Sequence, residues 1–594
     1  MNWRFKSILG VVFVLGFCII ARLFELQVLG HNFLGNTVYQ KNITQELIPA
    51  ERGRIFISEG TSLLPLAINI KNYNLIVSPN EIVSSDIKVE DWLEKVSPFL
   101  DIKHWQNLSQ EPLFIEEDEE TTEFKEMLNR LSKKDDFYEI IKKDLIFEQK
   151  EEIEQLNLPG LRFETITKRY YPENNLFSHI TGFVRSEENC QDEDCLGGQG
   201  QYGLEEFFNQ ELAGEPGEKI GEKGKNLTGP TDNFIKLPER GVDLVLTIDR
   251  TIQFFVCQTL RETIKEYQAD SGSIIILNPK SGEIIALCNY PDFDPNNYSK
   301  VKDYAVYKNE AVSSAFEPGS IFKVITMASG IDSKKVSPET VYLDKGQLII
   351  SGEKISNSDN RIFGLQNMTE VLEKSINTGA IFVAQKLGRS GFRNYLKKFG
   401  FGSLTQMEIP DESSGDISNL DEKQEIYLAT ASFGQGIIVT PIQMINAVAA
   451  IANQGKLMKP HLVKMIIKNG EEIPISPNFV RQVISPSSAA TLKAMMTSVC
   501  ENGYGSRARV NNYYVGGKTG TAQVPQENSA GYSEKVIHSF VGFAPSTDPR
   551  FVVLIKFDNP QNGRFADSTA APTFSKITEF ILKYYNIPPD KMNK

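Results

Sequence analysis

Hydrophobic and polar positions change their pattern several times along the chain. Residues 8–21 are apolar without interruption, whereas residues 86–157 carry Glu, Lys and Leu at helix-like spacing. Residues 214–241 are dense in Gly, Lys and Pro and carry little apolar pattern, which is typical of a junction between domains. We therefore predict one domain up to residue 240, with a charged helical insertion near residues 86–157, and a second domain beyond it.

The second domain shows the alternation of a β-sheet. Residues 242–248 alternate as a strand does, and the apolar runs 273–277 and 283–287 flank a turn containing Pro and Gly, which predicts a hairpin. Runs at 539–543 and 550–557 predict further strands. The predicted fold class is α+β multidomain, ending in an antiparallel sheet covered by helices.

The apolar run near the N-terminus predicts a membrane anchor. On length alone residues 8–21 are short for a membrane span and would suit a signal peptide. However, no small-residue cleavage pattern follows Arg22, and apolar character resumes through Leu29. We therefore predict an uncleaved signal anchor that leaves the rest of the chain outside the cytoplasm. The predicted parts are a cytoplasmic tail with a transmembrane anchor (1–30), a first extracytoplasmic domain (31–240) and a second (241–590).

Three short motifs in the second domain together suggest a serine acyl-transfer site. They are Ser-Ile-Phe-Lys at residues 320–323, Ser-Ile-Asn at 375–377 and Lys-Thr-Gly at 518–520. Residues three apart on a helix share a face, so Lys323 can reach the hydroxyl of Ser320. A desolvated lysine with a lowered pKa can take the proton of that hydroxyl. Ser320 is therefore the candidate nucleophile and Lys323 the candidate base.

The first motif is expected to begin a helix. Residues 321–328 have the apolar character of a buried helix, and Pro318 with Gly319 predicts its entry turn. Ser320 would then lie at a helix N-terminus, where unpaired N–H groups favour developing negative charge.

The second motif supplies a hydroxyl and a carboxamide. Ser375 is a candidate to relay a proton to the leaving amine. Asn377 is a candidate either to hold a substrate amide or to fix Lys323 by hydrogen bonding.

The third motif lies among β-branched and aromatic residues, which predicts a strand. In that setting Lys518 offers fixed positive charge, and the hydroxyls of Thr519 and Thr521 are candidates to bind a substrate carboxylate. Gly520 is expected to allow close backbone approach. An exposed edge strand here would also align a peptide substrate.

Each motif alone is weak, since any of the three occurs on ordinary surfaces, but their order and flanks resemble one family. The resemblance is to class B penicillin-binding proteins, which are monofunctional transpeptidases. It extends over nearly the whole chain, and the similar segments are residues 52–55, 202–205, 212–214, 316–324, 433–436, 439–443 and 539–545. Two positions depart from the usual pattern: Ile376 replaces an Asp, and residues 56–60 lack an Asp-Arg pair.

The resemblance implies a peptidoglycan D,D-transpeptidase with a pedestal domain before a penicillin-binding domain and no cofactor. Ser320 would attack the D-Ala–D-Ala carbonyl of a stem peptide, and the N–H groups of Ser320 and Thr521 would hold the oxyanion. β-Lactams would acylate the same serine. The implied partner is a multi-spanning lipid II polymerase of the shape, elongation, division or sporulation type, and residues 289–297 favour a division role over elongation.

Two other functions stay open at this stage. The first is a non-catalytic scaffold of the division complex, which the presence of all three motifs disfavours. The second is a D,D-carboxypeptidase or β-lactamase-like hydrolase. Compact β-lactamases resemble the spacing of the first two motifs but not that of the last two, and they lack a large first domain.

Composition excludes several other classes. A net charge of −13 and a pI near 5.2 argue against a nucleic-acid partner, because no basic field is available to meet phosphates. The Gly-Lys-Thr string at residues 517–519 is not a Walker motif, since Asn512 stands where a glycine is needed. The five histidines show no ligand spacing, so no metal site is predicted.

The cysteines give two expectations. Cys190 and Cys195 bracket a polar loop, and a local disulfide and two free thiols are equally open there. Cys257, Cys288 and Cys500 lie singly in apolar surroundings, which predicts buried thiols.

Overall fold

The computed structural model of the protein describes most of the chain. The described residues are 3–25, 43–100, 119–185, 197–222, 233–526 and 531–591. Cys190 and Cys195, with their candidate disulfide, lie outside them.

Helices account for much of the described chain. The α-helices are Trp3–Phe24, Pro79–Val83, Val89–Val96, Glu119–Leu131, Phe147–Glu154, Ser178–Thr181, Gly203–Phe207, Asn209–Ala213, Arg250–Tyr267, Glu310–Ser313, Lys323–Asp332, Met368–Glu373, Asn377–Leu387, Arg389–Phe399, Glu425–Ala431, Pro441–Ala452, Pro486–Asn502 and Ala570–Tyr584.

The strands are numbered here in chain order. They are β1 Ile43–Ile48, β2 Ile55–Glu59, β3 Ser62–Val77, β4 Glu139–Leu145, β5 Leu161–Tyr170, β6 Phe183–Arg185, β7 Gln199–Gln201, β8 Gly217–Glu222, β9 Asn233–Lys236, β10 Asp243–Leu246, β11 Ser271–Leu277, β12 Ile284–Tyr290, β13 Val341–Asp344, β14 Gln347–Ile350, β15 Glu353–Ser356, β16 Gly364–Asn367, β17 Lys456–Met458, β18 Val463–Lys468, β19 Glu471–Pro474, β20 Phe479–Gln482, β21 Gly516–Pro525, β22 Tyr532–Ala544 and β23 Phe551–Asp558.

The first helix carries the predicted anchor. Within Trp3–Phe24, the 18 residues from Ser7 to Phe24 have a mean hydropathy of 2.5, and none of that stretch is buried against the rest of the protein. The helix is long and apolar enough to cross a membrane, although a signal sequence meets the same criteria.

The charged insertion is only partly helical. Val89–Val96, Glu119–Leu131 and Phe147–Glu154 are helices, but β4 lies between the last two and pairs antiparallel with β3. The helix-like spacing of charged residues hid this strand, whose short run of isoleucines gains its stability from pairing with β3.

A seven-stranded sheet joins distant parts of the chain. Its order is β19-β18-β10-β2-β3-β4, and β5 also pairs with β3. The strand predicted at residues 242–248 is present as β10, but it was wrongly expected in the antiparallel sheet of the second domain. It runs parallel to β2 and antiparallel to β18. Its four residues are all buried, and buried backbone N–H and C=O groups need hydrogen-bond partners, which β2 and β18 supply on the two edges.

A five-stranded antiparallel sheet forms the centre of the second domain, as predicted. Its order is β12-β11-β23-β22-β21. The predicted hairpin is β11 with β12, and the two later predicted strands are β22 and β23. Helices pack on this sheet, and β11 and β23 consequently bury nearly every side chain on both faces. β21 is an edge strand, so one side of its backbone is not used by the sheet.

Two segments of the family resemblance meet in a buried charge network. Glu205 is fully buried, and its carboxylate accepts hydrogen bonds from Arg52 Nε at 2.8 Å and Arg169 Nε at 2.7 Å. Burial opposes ionisation of Glu205, but the positive charges of Arg169 and Arg52 hold its pKa below the usual value. Close by, a side chain at Gly53 would meet the carbonyl of Val242 at 1.8 Å. The network therefore fixes the residues just before β2 against the helix that carries Glu205 and against β5, which carries Arg169.

The structure corrects the prediction for two cysteines. Cys257 and Cys288 are joined by a disulfide, with their Cα atoms 5.4 Å apart. They were predicted to be separate thiols because each stands singly in apolar surroundings, but the fold brings them together across a sequence separation of 31 residues. The bond ties the helix Arg250–Tyr267 to β12. Cys500 is a free, buried thiol as predicted, and burial raises its pKa to about 12.

We expect Glu205→Gln to destabilise the first domain by about 3–5 kcal/mol, because it leaves two buried guanidinium groups without their counter-charge. Urea unfolding of the full chain in detergent, followed by the fluorescence of the buried Trp92, measures this change. Glu211→Gln, at an exposed position on the neighbouring helix, is the control and should change stability by less than about 0.5 kcal/mol. Equal stability of the two variants would contradict the role given to the network.

Candidate active site

A cavity of about 650 Å³ opens beside the edge strand β21. Residues of all three motifs line it: Ser320 from the first, Ser375 and Asn377 from the second, and Thr519 from the third. Its opposite wall is the segment from Ser356 to Phe363. The structure thus brings the three motifs, far apart in sequence, around one cleft.

Ser320 lies in a 3₁₀ turn and not at the start of the α-helix as predicted. The turn is Gly319–Phe322, and the α-helix begins at Lys323. Gly319 has a φ of 55°, and its N–H donates to the carbonyl of Gly434 at 3.0 Å. Only glycine tolerates that conformation without strain, so the entry turn depends on it. The turn still places Lys323 Nζ 3.1 Å from Ser320 Oγ.

Lys323 is buried among neutral acceptors. Besides Ser320 Oγ, its Nζ lies 2.6 Å from the carbonyl oxygen of Ser375, 3.2 Å from Ser375 Oγ and 2.7 Å from Asn377 Oδ1. No carboxylate is among these partners. Burial lowers the pKa of Lys323 well below its ordinary value, and the positive charge of Lys518 lowers it further. A neutral amine at this position can accept a proton from Ser320.

Lys518 is the second buried lysine of the site. Its Nζ donates to Ser375 Oγ at 2.9 Å and to the carbonyl of Thr519 at 2.9 Å. Burial lowers its pKa to about 7. Ser375 Oγ therefore lies within hydrogen-bonding distance of both lysine nitrogens, and the hydroxyl can pass a proton between them.

Asn377 begins the helix Asn377–Leu387, and both polar atoms of its carboxamide form hydrogen bonds. Oδ1 accepts from Lys323, and Nδ2 donates to the carbonyl of Ser356 at 2.9 Å. Of the two roles left open for this residue, the geometry favours fixing Lys323.

Some residues of the strand that carries the third motif face the cleft, and others face the protein interior. Thr519 and Thr521 line the cavity from β21. Gly520, predicted to allow close approach of substrate, instead packs inward, where a side chain would lie 2.5 Å from Ser539 Oγ and 2.9 Å from Ile321 Cγ2. Its small size serves the packing of β21 against the turn that carries Ser320.

Two buried carboxylates support the site, and the sequence motifs did not identify either of them. Asp344 accepts hydrogen bonds from Thr378 Oγ1 at 2.6 Å and from the N–H of Phe363 at 2.8 Å, so it joins the second motif to the opposite wall. Glu317 accepts from the N–H of Gly436 at 2.8 Å and from the hydroxyl of Tyr532 at 3.0 Å. Glu317 was within reach of sequence analysis, since it lies three residues before Ser320, whereas nothing near Asp344 marks its role.

Comparison with known proteins agrees with this geometry. The family model for the penicillin binding protein transpeptidase domain matches residues 272–579, and the model for the penicillin-binding protein dimerisation domain matches residues 47–246. Stage V sporulation protein D of Bacillus subtilis is 33% identical over 452 residues, which cover 75% of this chain and 68% of that protein. The probable peptidoglycan D,D-transpeptidase PbpC of Pseudomonas aeruginosa is 30% identical over 601 residues, which cover 100% of this chain and 97% of that protein.

A solved structure shares the fold. Penicillin binding protein 2X from Streptococcus thermophilus matches with a TM-score of 0.74 at 23% identity, over 91% of this chain and 80% of that one. The transpeptidase model alone covers more than half of the 594 residues, so the chain belongs to the penicillin-binding protein transpeptidase family. The added dimerisation domain identifies it as a class B member.

We expect Lys518→Met to raise the pKa of Lys323, because it removes the neighbouring positive charge that disfavours a second one. NMR titration of the labelled lysine ε-carbons, with Lys323→Arg to assign the signal, measures the pKa. Lys374→Met is the matched control, since Lys374 also lines the cavity but is paired with Glu370. An unchanged or lowered pKa of Lys323 in the Lys518 variant would contradict the electrostatic coupling.

Proposed function

We propose that the chain is a serine-type peptidoglycan D,D-transpeptidase that cross-links stem peptides through an acyl-enzyme on Ser320. The observation that carries the proposal is the 3.1 Å contact between Ser320 Oγ and a buried lysine amine that has no carboxylate partner. PbpC, whose name describes a probable peptidoglycan D,D-transpeptidase, matches over the whole chain, which supports the same activity.

Acylation begins with proton transfer from Ser320 Oγ to Lys323 Nζ. Oγ then bonds to the carbonyl carbon between the two D-alanines of the donor stem. The bond from that carbon to nitrogen breaks, and the departing D-alanine amine takes a proton through Ser375 Oγ. Because that hydroxyl contacts both lysines, the site has a short path from the base to the leaving group.

Substrate binding is assigned to β21. The free side of an edge strand can pair with an extended peptide, and Thr519 and Thr521 line the cavity on this strand. Their hydroxyls, with the charge of Lys518, are assigned to the substrate carboxylate. The N–H groups of Ser320 and Thr521 are assigned to the oxyanion. Gly520 then contributes by packing and not by touching substrate.

The acyl group finally passes to an amino group of a neighbouring stem, which forms the cross-link. A hydrolase would pass it to water instead. The match of residues 47–246 to the dimerisation-domain model favours the transpeptidase over the hydrolase, since compact hydrolases lack such a domain. A non-catalytic scaffold remains the second candidate, and a growth test with a Ser320→Ala copy separates it.

The proposed setting is the outer face of the cell membrane. The apolar helix Trp3–Phe24 acts as an uncleaved anchor, and the pedestal (31–240) and penicillin-binding domain (241–590) lie outside the cytoplasm. The proposed partner is a multi-spanning lipid II polymerase, and the proposed place of action is the division septum. A fluorescent fusion imaged at midcell or along the sidewall tests the location.

Ser320→Ala is expected to abolish labelling by a fluorescent penicillin, because it removes the hydroxyl that is assigned to form the acyl bond. Gel fluorescence of the full chain measures it, and Ser358→Ala, another serine on the cavity wall, is the control that should still label. Equal labelling of wild type and Ser320→Ala would rule out this nucleophile. A Ser320→Ala copy that restores growth to a strain lacking the protein would favour the scaffold.

Lys323→Met is expected to slow acylation by about 10²–10⁴-fold, since the proton of Ser320 then has no base. The second-order rate constant for penicillin acylation measures the loss, and circular dichroism checks that the variant folds. Lys374→Met serves again as the control and should keep the wild-type rate within a few-fold. A mild loss in the Lys323 variant would reassign the base.

A further inference from the structure

Two carboxylates line the active-site cavity among the described residues, and they differ in their surroundings. Asp359 lies 2.8 Å from Arg564 Nη2 and 3.7 Å from Arg361 Nη2. The guanidinium groups of the two arginines therefore compensate its charge. Asp567 also lines the cavity, but its carboxylate has no hydrogen bond or ion pair within the described part of the chain.

The rest of the cavity wall carries positive charge. Three cationic side chains line it, and each lies beside a carboxylate. Arg361 and Arg564 face Asp359, and Lys374 is paired with Glu370. Asp567 is the uncompensated anion of the described wall, and so the one group there that attracts a cation.

Asp567 is also held in place. The N–H of Ala566 donates to Thr521 Oγ1 at 3.2 Å, which ties the segment to the edge strand. Ala566 is buried, and Ser568 Oγ donates to the carbonyl of Phe565 at 2.8 Å. The carboxylate is therefore carried on a fixed turn next to the strand assigned to substrate, and not on a free loop.

We propose that Asp567 binds the ammonium form of the acceptor amine and so determines the preference for a cationic acceptor. The proposal rests on the transpeptidase function proposed above, because only acyl transfer to an amine needs such a group.

In the transfer step the acyl group moves from Oγ of Ser320 to the nitrogen of the acceptor. The bound ammonium releases its extra proton to water, and the neutral nitrogen forms a bond to the acyl carbon. The bond from that carbon to Oγ of Ser320 breaks, and the proton displaced from nitrogen returns to Oγ through Lys323. Asp567 acts before these steps by raising the local concentration of the cation beside the acyl-enzyme.

The test uses the full chain in detergent, acylated with a D-alanyl thioester donor. Two acceptors compete with water: Nα-acetyl-lysine amide, an alkylammonium ion at neutral pH, and hydroxylamine, which is uncharged there. The measured quantity is the ratio of aminolysis to hydrolysis as a function of acceptor concentration. For Asp567→Asn we expect the acceptor concentration at half-saturation to rise about tenfold for the lysine amide. Transfer to hydroxylamine and labelling by fluorescent penicillin should stay within about twofold.

Asp567→Glu, which keeps the charge, should keep most of the preference for the cation. Glu534→Gln is the matched control, because Glu534 is exposed on the adjacent strand β22 without lining the cavity. The proposal is overturned if Asp567→Asn leaves the lysine amide unaffected, or weakens both acceptors equally. If Asp567→Asn fails to label with penicillin, Asp567→Glu decides: a retained preference for the cation supports the proposal, and its loss overturns it. Failure of the proposed function looks different, since the wild type itself would then form no acyl-enzyme on Ser320.

Discussion

The chemistry proposed for this protein depends on a lysine amine kept without a counter-charge in the interior. A buried lysine normally either pairs with a carboxylate or loses its proton, and Lys323 has only neutral acceptors around it. Each of those acceptors comes from a different constraint: the 3₁₀ turn sets Ser320, the positive φ of Ser375 turns its carbonyl and hydroxyl inward, and the helix start at Asn377 sets the carboxamide. Exchanging any acceptor for a carboxylate would favour the protonated amine, which could no longer act as the proposed base.

The surrounding fold holds these groups at fixed distances by packing rather than by surface ion pairs. Gly319 and Gly520 let the turn with Ser320 pack closely against β21. A Cβ atom at Gly319 would lie 2.9 Å from Cβ of Ala522, and a Cβ atom at Gly520 would lie 2.9 Å from Cγ2 of Ile321. Asp344 then fixes the second motif to the far wall through neutral donors. Since the interior is close-packed, a shift of any of these elements also moves Oγ of Ser320, the proposed nucleophile.

Much of the site could be predicted from the sequence because its motifs are short-range. Ser320 and Lys323 are related by a single turn, and the hairpin β11–β12 can be predicted from the residues of its own turn. The predictions that were wrong concern contacts between residues that lie far apart in the sequence. The bond between Cys257 and Cys288 needs a helix and a strand to meet, and the position of β10 is decided by β2 and β18. Asp344 is an ordinary acidic residue until the loop around Phe363 folds over it.

The seven-stranded sheet has a practical consequence for anyone who dissects the protein. β10 and β18 both follow the glycine-rich stretch at residues 214–241, yet β2, which pairs with β10, lies near the beginning of the chain. A fragment cut after the glycine-rich stretch would carry β10 with an unsatisfied hydrophobic edge, and such edges recruit other strands. Recombinant fragments should therefore retain residues 43–100, which include β2, or be mixed with a separate fragment that supplies β2, if they are to stay in solution.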